Sequence, residues 1–103
     1  MADWGSLVDK LNEQVLAAFG REVTYTPQAG EPLTVTGILE NGARPEDAAP
    51  GVYALLFVRA AAFPDPPARG DEVTVGGSVY KVVDLEADAE GGLQLVLHFN
   101  RTV

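Results

Sequence analysis

The stretch that decides the fold is residues 69–99, RGDEVTVGGSVYKVVDLEADAEGGLQLVLHF. It contains three runs rich in β-branched and aliphatic residues, 72–75, 79–87 and 93–99, and two glycine pairs separate them. Glycine readily adopts the positive φ that tight hairpin turns require. The pattern therefore predicts three antiparallel strands joined by two hairpins.

Three further strands are predicted upstream, at residues 22–27, 33–40 and 52–59. The first two alternate apolar and polar residues, as half-buried strands do. Gly37 interrupts the second run and indicates a bulge or bend, such as a small barrel needs at a corner. Residues 52–59 are apolar on both faces, which is typical of a strand covered on both sides. Six strands predict a mainly β domain, a small antiparallel barrel or sandwich.

An amphipathic helix is predicted at residues 4–19, within an N-terminal segment 1–20 that ends at a candidate C-cap, Gly20. Its apolar side chains recur at spacings of three and four: Trp4, Leu7, Val8, Leu11, Val15, Ala18 and Phe19. The helix either covers the sheet of its own domain or docks on a neighbouring subunit, and both alternatives remain open at this point.

The 103 residues are expected to form a single domain, 1–103, with the helix followed by a β domain at 21–103. Residues 41–51 and 60–70 are predicted to be mobile loops, because their proline, alanine and charge content offers little to bury. Phe63 has no evident apolar partner in the second loop, which suggests an anchor for another protein. The predicted core contains ten aliphatic residues: Leu11, Val15, Val35, Leu56, Val58, Val73, Val75, Val83, Leu95 and Leu97.

The charge balance argues against several classes of function. Fifteen acidic and seven basic residues give a net charge of −8, which is unfavourable for gripping nucleic-acid phosphates. There are no cysteines, so disulfides and thiolate chemistry are excluded. The first ten residues do not resemble a secretory signal, and the longest nearly apolar run, 52–58, is too short to span a bilayer. We expect an intracellular protein that binds neither membrane nor specific nucleic acid.

The candidate chemical motifs are weak. His98, the one histidine, has no evident nucleophile or acid beside it in the sequence, so a structural role is favoured over general-base catalysis. The acidic run Asp84 to Glu90 does not match a calcium loop, because Ala89 and Leu95 stand where glycine and glutamate are required. Arg69-Gly70-Asp71 spells a cell-adhesion tripeptide, but its glycine opens a predicted strand. The sequence predicts no enzyme activity, metal or cofactor.

The order of elements resembles that of the lambda-like head–tail joining proteins of tailed bacteriophages. These have a helical or flexible N-terminus, a central strand pair, a long loop with proline and glycine, and a closing hairpin. The local similarity lies in Arg69-Gly70-Asp71, Val73, Gly77, Tyr80, Val82, Asp84, Gly91 and the alternating Leu93-Leu95-Leu97. The resemblance covers most of the chain. Each of these residues could also be present for a structural reason alone, as a turn glycine, a core residue or a cross-strand aromatic residue.

The resemblance implies a structural virion or prophage protein that joins the filled head to the tail. Such a protein would assemble as a ring, sixfold in the expected form, at the virion neck, after synthesis in the host cytoplasm. Its partners would be head-completion and tail proteins, and it would carry no catalytic residues. The residues expected to contact partners are Trp4, Glu46, Asp47, Phe63, Asp65 and Arg69. The alternatives are a stand-alone β-barrel module that binds a peptide or small molecule, and an enzyme of unrecognised type.

Overall fold

The computed structural model describes residues 20–42, 48–87 and 91–103. They form six β-strands and one short 3₁₀ turn, Ala60–Ala62. The strands are β1 Arg21–Thr26, β2 Leu33–Gly42, β3 Tyr53–Arg59, β4 Glu72–Val75, β5 Ser78–Ala87 and β6 Gly92–Thr102. They close into a barrel in the order β1-β2-β3-β6-β5-β4, and every neighbouring pair is antiparallel. Of the two predicted architectures, the barrel is the one observed.

All six predicted strands are present, with bounds that differ by a few residues. The turn between β4 and β5 contains the first glycine pair, with Val75 opposite Ser78. β2 changes partner after Gly37, since residues 33–37 pair with β1 and 38–42 with β3. A Cβ on Gly37 would lie 2.8 Å from the Phe57 carbonyl oxygen and 2.7 Å from Val58 Cγ1. Close packing therefore requires glycine at this position of β2.

The core lies inside the barrel. Seven of the ten predicted core residues are buried there: Val35, Leu56, Val58, Val73, Val75, Leu95 and Leu97. Two others, Leu11 and Val15, lie outside the described residues. β3 is buried on both sides as predicted, because Tyr53 and Phe57 on its other face are also buried.

Val83 was predicted to be buried, and this was wrong: its side chain is 37% exposed. The pairing of β5 with β6 shifts register twice, between Val79 and Tyr80 and between Val82 and Asp84. Each shift of one residue exchanges the inward and outward faces of a strand. At the second shift Val83 is the extra residue of β5, since Val82 pairs with Leu97 and Asp84 with Val96. Val82 is buried at 1% exposure, and Val83 lies outside the core.

The connections lie at the two ends of the barrel. The β1–β2 turn, residues 27–32, and the β3–β4 connection, residues 60–71, meet at one end, where Thr26 pairs with Glu72. The β4–β5 turn lies at the other end, where the Val103 amide donates to the Gly77 carbonyl at 2.8 Å. The predicted helix at 4–19 falls outside the described residues. Among the residues that are described, no helix has the length and apolar character needed to cross a membrane.

Candidate functional site

A groove of about 580 Å³ opens at the end of the barrel where the 27–32 turn faces the 60–71 connection. We call it the end groove. It is lined by Tyr25, Pro27, Gln28, Ala29, Gly30, Glu31, Leu33, Phe63, Pro64, Asp65, Pro66, Ala68 and Asp71. Its volume falls in the range of pockets that hold small ligands or a few side chains of a partner.

The floor of the groove is organised by Asp71, a buried charged residue with 5% exposure. The Tyr25 hydroxyl donates to its Oδ2 atom. The Ala68 amide donates to Oδ2 at 3.0 Å, and the Gln28 amide donates to Oδ1 at 3.0 Å. One carboxylate thus binds β1, the turn that follows β1, and the segment that precedes β4.

Burying a carboxylate is costly unless hydrogen-bond donors replace the lost water. Asp71 has three such donors, and the Ala68 amide also lies 3.2 Å from the Tyr25 hydroxyl oxygen, which can accept from it. Burial raises the pKa of the Tyr25 hydroxyl well above its usual value, and its hydrogen bond to Asp71 raises that pKa further. Tyr25 therefore stays protonated and remains a donor through the neutral pH range. The arrangement is structural, because it holds a carboxylate without presenting it to solvent.

Phe63 packs against Tyr25, with ring centroids 5.0 Å apart and an interplanar angle of 76°. This edge-to-face geometry is a favourable one for aromatic pairs. Phe63 is half-buried and contacts the hydrophobic core. The expectation that Phe63 lacks an apolar partner in its own chain was therefore wrong. Its loop returns to the barrel, which the spacing of prolines in the sequence did not reveal.

Gly70 allows the chain to turn from the groove into β4. Its φ is +92°, and a Cβ there would lie 2.1 Å from the Gln28 side-chain nitrogen. A side chain at this position would both strain the backbone and displace Gln28. The Gly70 amide donates to the Val82 carbonyl at 2.8 Å, and the Val82 amide donates to the Asp71 carbonyl at 2.9 Å. These bonds fix the end of the loop against β5.

The charges of the end groove all have one sign. Glu31 and Asp65 are exposed at its rim and Asp71 lies in its floor, while none of the described residues that line it is lysine or arginine. The walls contribute apolar surface from Leu33, Phe63 and three prolines. The groove thus combines an apolar interior with a negative potential.

The structure brings together two of the six residues that were predicted to contact partners. Phe63 and Asp65 line the same groove. Arg69 does not line it, and its Nη2 atom instead lies 3.1 Å from Asp84 Oδ1 in an exposed ion pair. This pairing lowers the pKa of the Asp84 carboxyl. Trp4, Glu46 and Asp47 lie outside the described residues.

The sequence interpretation missed Tyr25, Gln28, Glu31 and Asp71 as members of one site. The aspartate of Arg69-Gly70-Asp71 was noticed, but its burial was not predicted. Because that carboxylate is occupied inside the barrel, the tripeptide is a structural turn and does not have the accessible aspartate of an adhesion ligand. An aspartate directly after a glycine and before a strand is a weak signal for a turn that uses its side chain. Nothing local identifies a partner 46 residues away, as Tyr25 is.

His98 belongs to a separate structural contact. Its ring stacks on Tyr53 with centroids 4.6 Å apart and an interplanar angle of 21°. The Tyr53 hydroxyl donates to the Ala49 carbonyl at 2.6 Å. In the described part of the chain, no three His, Cys, Asp or Glu side chains are grouped so that they could hold a metal ion.

The described residues thus form a closed β-barrel with a groove at one end. Residues 3–98 match the family model described as phage head-tail attachment protein, and the chain belongs to this family. The family resemblance inferred from the sequence is thereby confirmed. No curated protein matches the chain. Membership gives the protein a structural role at the junction of a phage head and tail.

Proposed function

We propose that this protein is a neck component that joins the filled head to the tail by assembling as a ring, with six copies as the expected number. The match to the head-tail attachment family over residues 3–98 is the observation that carries the proposal. The host cytoplasm is the proposed location before assembly and the virion neck the location after it.

The ring is proposed to form on a neck or tail template and not in free solution. A net charge of −8 on a 10.9 kDa chain opposes self-association, particularly at low salt. A template that supplies opposite charge removes this repulsion. The purified protein is therefore expected to be a monomer by light scattering, and a stable ring in dilute solution would contradict template dependence.

We assign the protein a structural role without catalysis or nucleic-acid binding. The acidic balance supports this, since phosphate binding normally relies on a basic patch. Trp4, Glu46, Asp47, Phe63, Asp65 and Arg69 are proposed as contacts with head-completion or tail proteins. The acidic members, with Glu86 and Asp88, would face basic partner surfaces or a DNA passage and act there through electrostatics.

Deletion of the gene from its phage or prophage tests the proposal. Filled heads and separate, complete tails should accumulate, and added purified protein should join them. If joined particles form normally without the gene, the assembly role is wrong. The second candidate, a stand-alone module for a peptide or small molecule, would then be favoured by the end groove.

A further inference from the structure

We propose that the end groove is the surface that binds a partner, and that its occupant is an extended, basic segment of a different protein. An apolar side chain of that segment would pack on Phe63 and Leu33, and lysine or arginine side chains would lie near Glu31 and Asp65. The inference rests on the proposed function only for the source of the partner, which is a head or tail protein of the same phage.

The apolar part of the groove suits an extended chain. The Phe63 ring packs edge-to-face on the Tyr25 ring, with the two centroids 5.0 Å apart. This contact holds the aromatic surface in place before a partner binds. Pro27, Pro64 and Pro66 contribute further apolar surface to the lining. Proline has few backbone conformations to lose, which lowers the entropy cost of ordering the groove around a ligand.

The rim charges make the groove selective. Glu31 and Asp65 are exposed, and neither forms an ion pair with another described residue. Within the described part of the chain, both carboxylates are therefore available to a cation of another protein. Phe63 lines the same groove, and an aromatic ring is a favourable contact for a lysine or arginine side chain that enters it. Complementary charge of this kind speeds association and rejects acidic competitors.

The same charges argue against the two occupants that this chain could supply. Residues 1–19 carry Asp3, Asp9 and Glu13 against Lys10, so that segment is itself acidic. A second copy carries a net charge of −8. Either would bring like charge to Glu31 and Asp65, which is unfavourable. A basic segment of another protein is the occupant that the electrostatics favour.

The first experiment measures binding of two capped synthetic nonapeptides to the full chain. One combines lysines with leucine and proline, and the other has glutamate in place of each lysine. Amide shifts in NMR spectra locate the bound peptide. We expect the lysine peptide to shift Gln28, Ala29, Gly30 and Ala68, and the glutamate peptide to shift none of them. Binding of neither peptide, or shifts centred away from the groove, would overturn the inference.

Two double variants distinguish the effect of the rim charges from the effect of the protein's net charge. We call them the rim pair and the control pair. Glu31→Lys with Asp65→Lys changes the rim, whereas Glu22→Lys with Glu40→Lys changes two exposed strand positions that do not line the groove. Each pair of substitutions removes two negative charges and adds two positive ones, so the net charge changes from −8 to −4 in both variants. The rim pair should bind the lysine peptide roughly tenfold more weakly, while the control pair stays within about twofold of the original protein. Equal weakening in both pairs would mean that the groove has no special role.

Head–tail joining in vitro distinguishes failure of this inference from failure of the proposed function. Heads and tails accumulated without the gene are mixed with the original protein, the rim pair or the control pair. The inference predicts that the rim pair joins them about tenfold less efficiently than the control pair. If the rim pair joins as well as the control, the groove is not the partner surface, although the joining role stands. If the original protein joins nothing, the proposed function fails, and with it the assignment of the groove to a neck partner.

Discussion

Replacing Asp71 by asparagine should destabilise the barrel although it preserves side-chain shape. One carboxylate oxygen accepts from the Gln28 amide, and the other accepts from the Tyr25 hydroxyl and the Ala68 amide. In Asp71→Asn an NH₂ group replaces one of these oxygens, so at least one donor faces another donor. Hydrogen bonds to charged groups contribute about 1.5–3 kcal/mol each, and we expect a loss in that range.

Urea unfolding followed by circular dichroism measures this loss, with the m-value as a check that the same surface unfolds. Asp65→Asn is the matched control, because Asp65 is exposed at the rim and its replacement should change stability by no more than about 0.5 kcal/mol. If Asp71→Asn costs as little as the control, the three hydrogen bonds do not hold this end of the barrel together.

The same network predicts a dependence on alkaline pH. The pKa of Tyr25 in the folded protein is raised by burial and by Asp71, above its unfolded value of about 10. Its contribution is therefore fully present below pH 10 and declines as the pH rises above that value, because the unfolded chain then releases a proton that the folded chain retains. The difference in free energy of unfolding between the original protein and Tyr25→Phe should shrink above about pH 10. A difference that is constant from pH 8 to 11 would contradict the assigned burial.

Three further predictions test the core, a surface pair and the loop. Leu56→Ala should lower the free energy of unfolding in urea by about 2–5 kcal/mol, because Leu56 is fully buried. Val83→Ala, the exposed control, should lower it by about 0.5 kcal/mol or less. A loss below about 1 kcal/mol for Leu56→Ala would show that the wrong face of β3 was assigned to the core. The Arg101 guanidinium donates two hydrogen bonds to the Glu72 carboxylate and holds the pKa of that carboxyl below its usual value. Arg101→Gln should therefore raise the Glu72 pKa in an NMR titration. An unchanged pKa would mean that this two-bond pair does not form in solution. In hydrogen exchange of the isolated protein, the Ala68 amide should be protected because it donates to the buried Asp71 carboxylate, whereas the amide of the exposed Asp65 should exchange fast. Equally fast exchange at both amides would mean that Asp71 does not hold the loop.

The sequence alone determined the strand content and the family. Alternation of apolar and polar residues has a period of two whatever the tertiary context, and glycine pairs mark the tight turns between strands. These local signals were sufficient to predict six antiparallel strands and most of the core from Val35 to Leu97. They also carried the resemblance to head–tail joining proteins, because the spacing of turns and strands follows the order of that family.

The tertiary structure decided the features that depend on the register between strands and on the closure of the barrel. Val83 is the extra residue where the pairing of β5 with β6 shifts register, and alternation within β5 cannot show this shift because register is defined only against the partner strand. Asp71 and Tyr25 meet because β4 pairs with β1 when the barrel closes, which brings residues 46 positions apart into contact. The end groove follows from that same closure, since its two walls belong to connections that only a closed barrel places face to face.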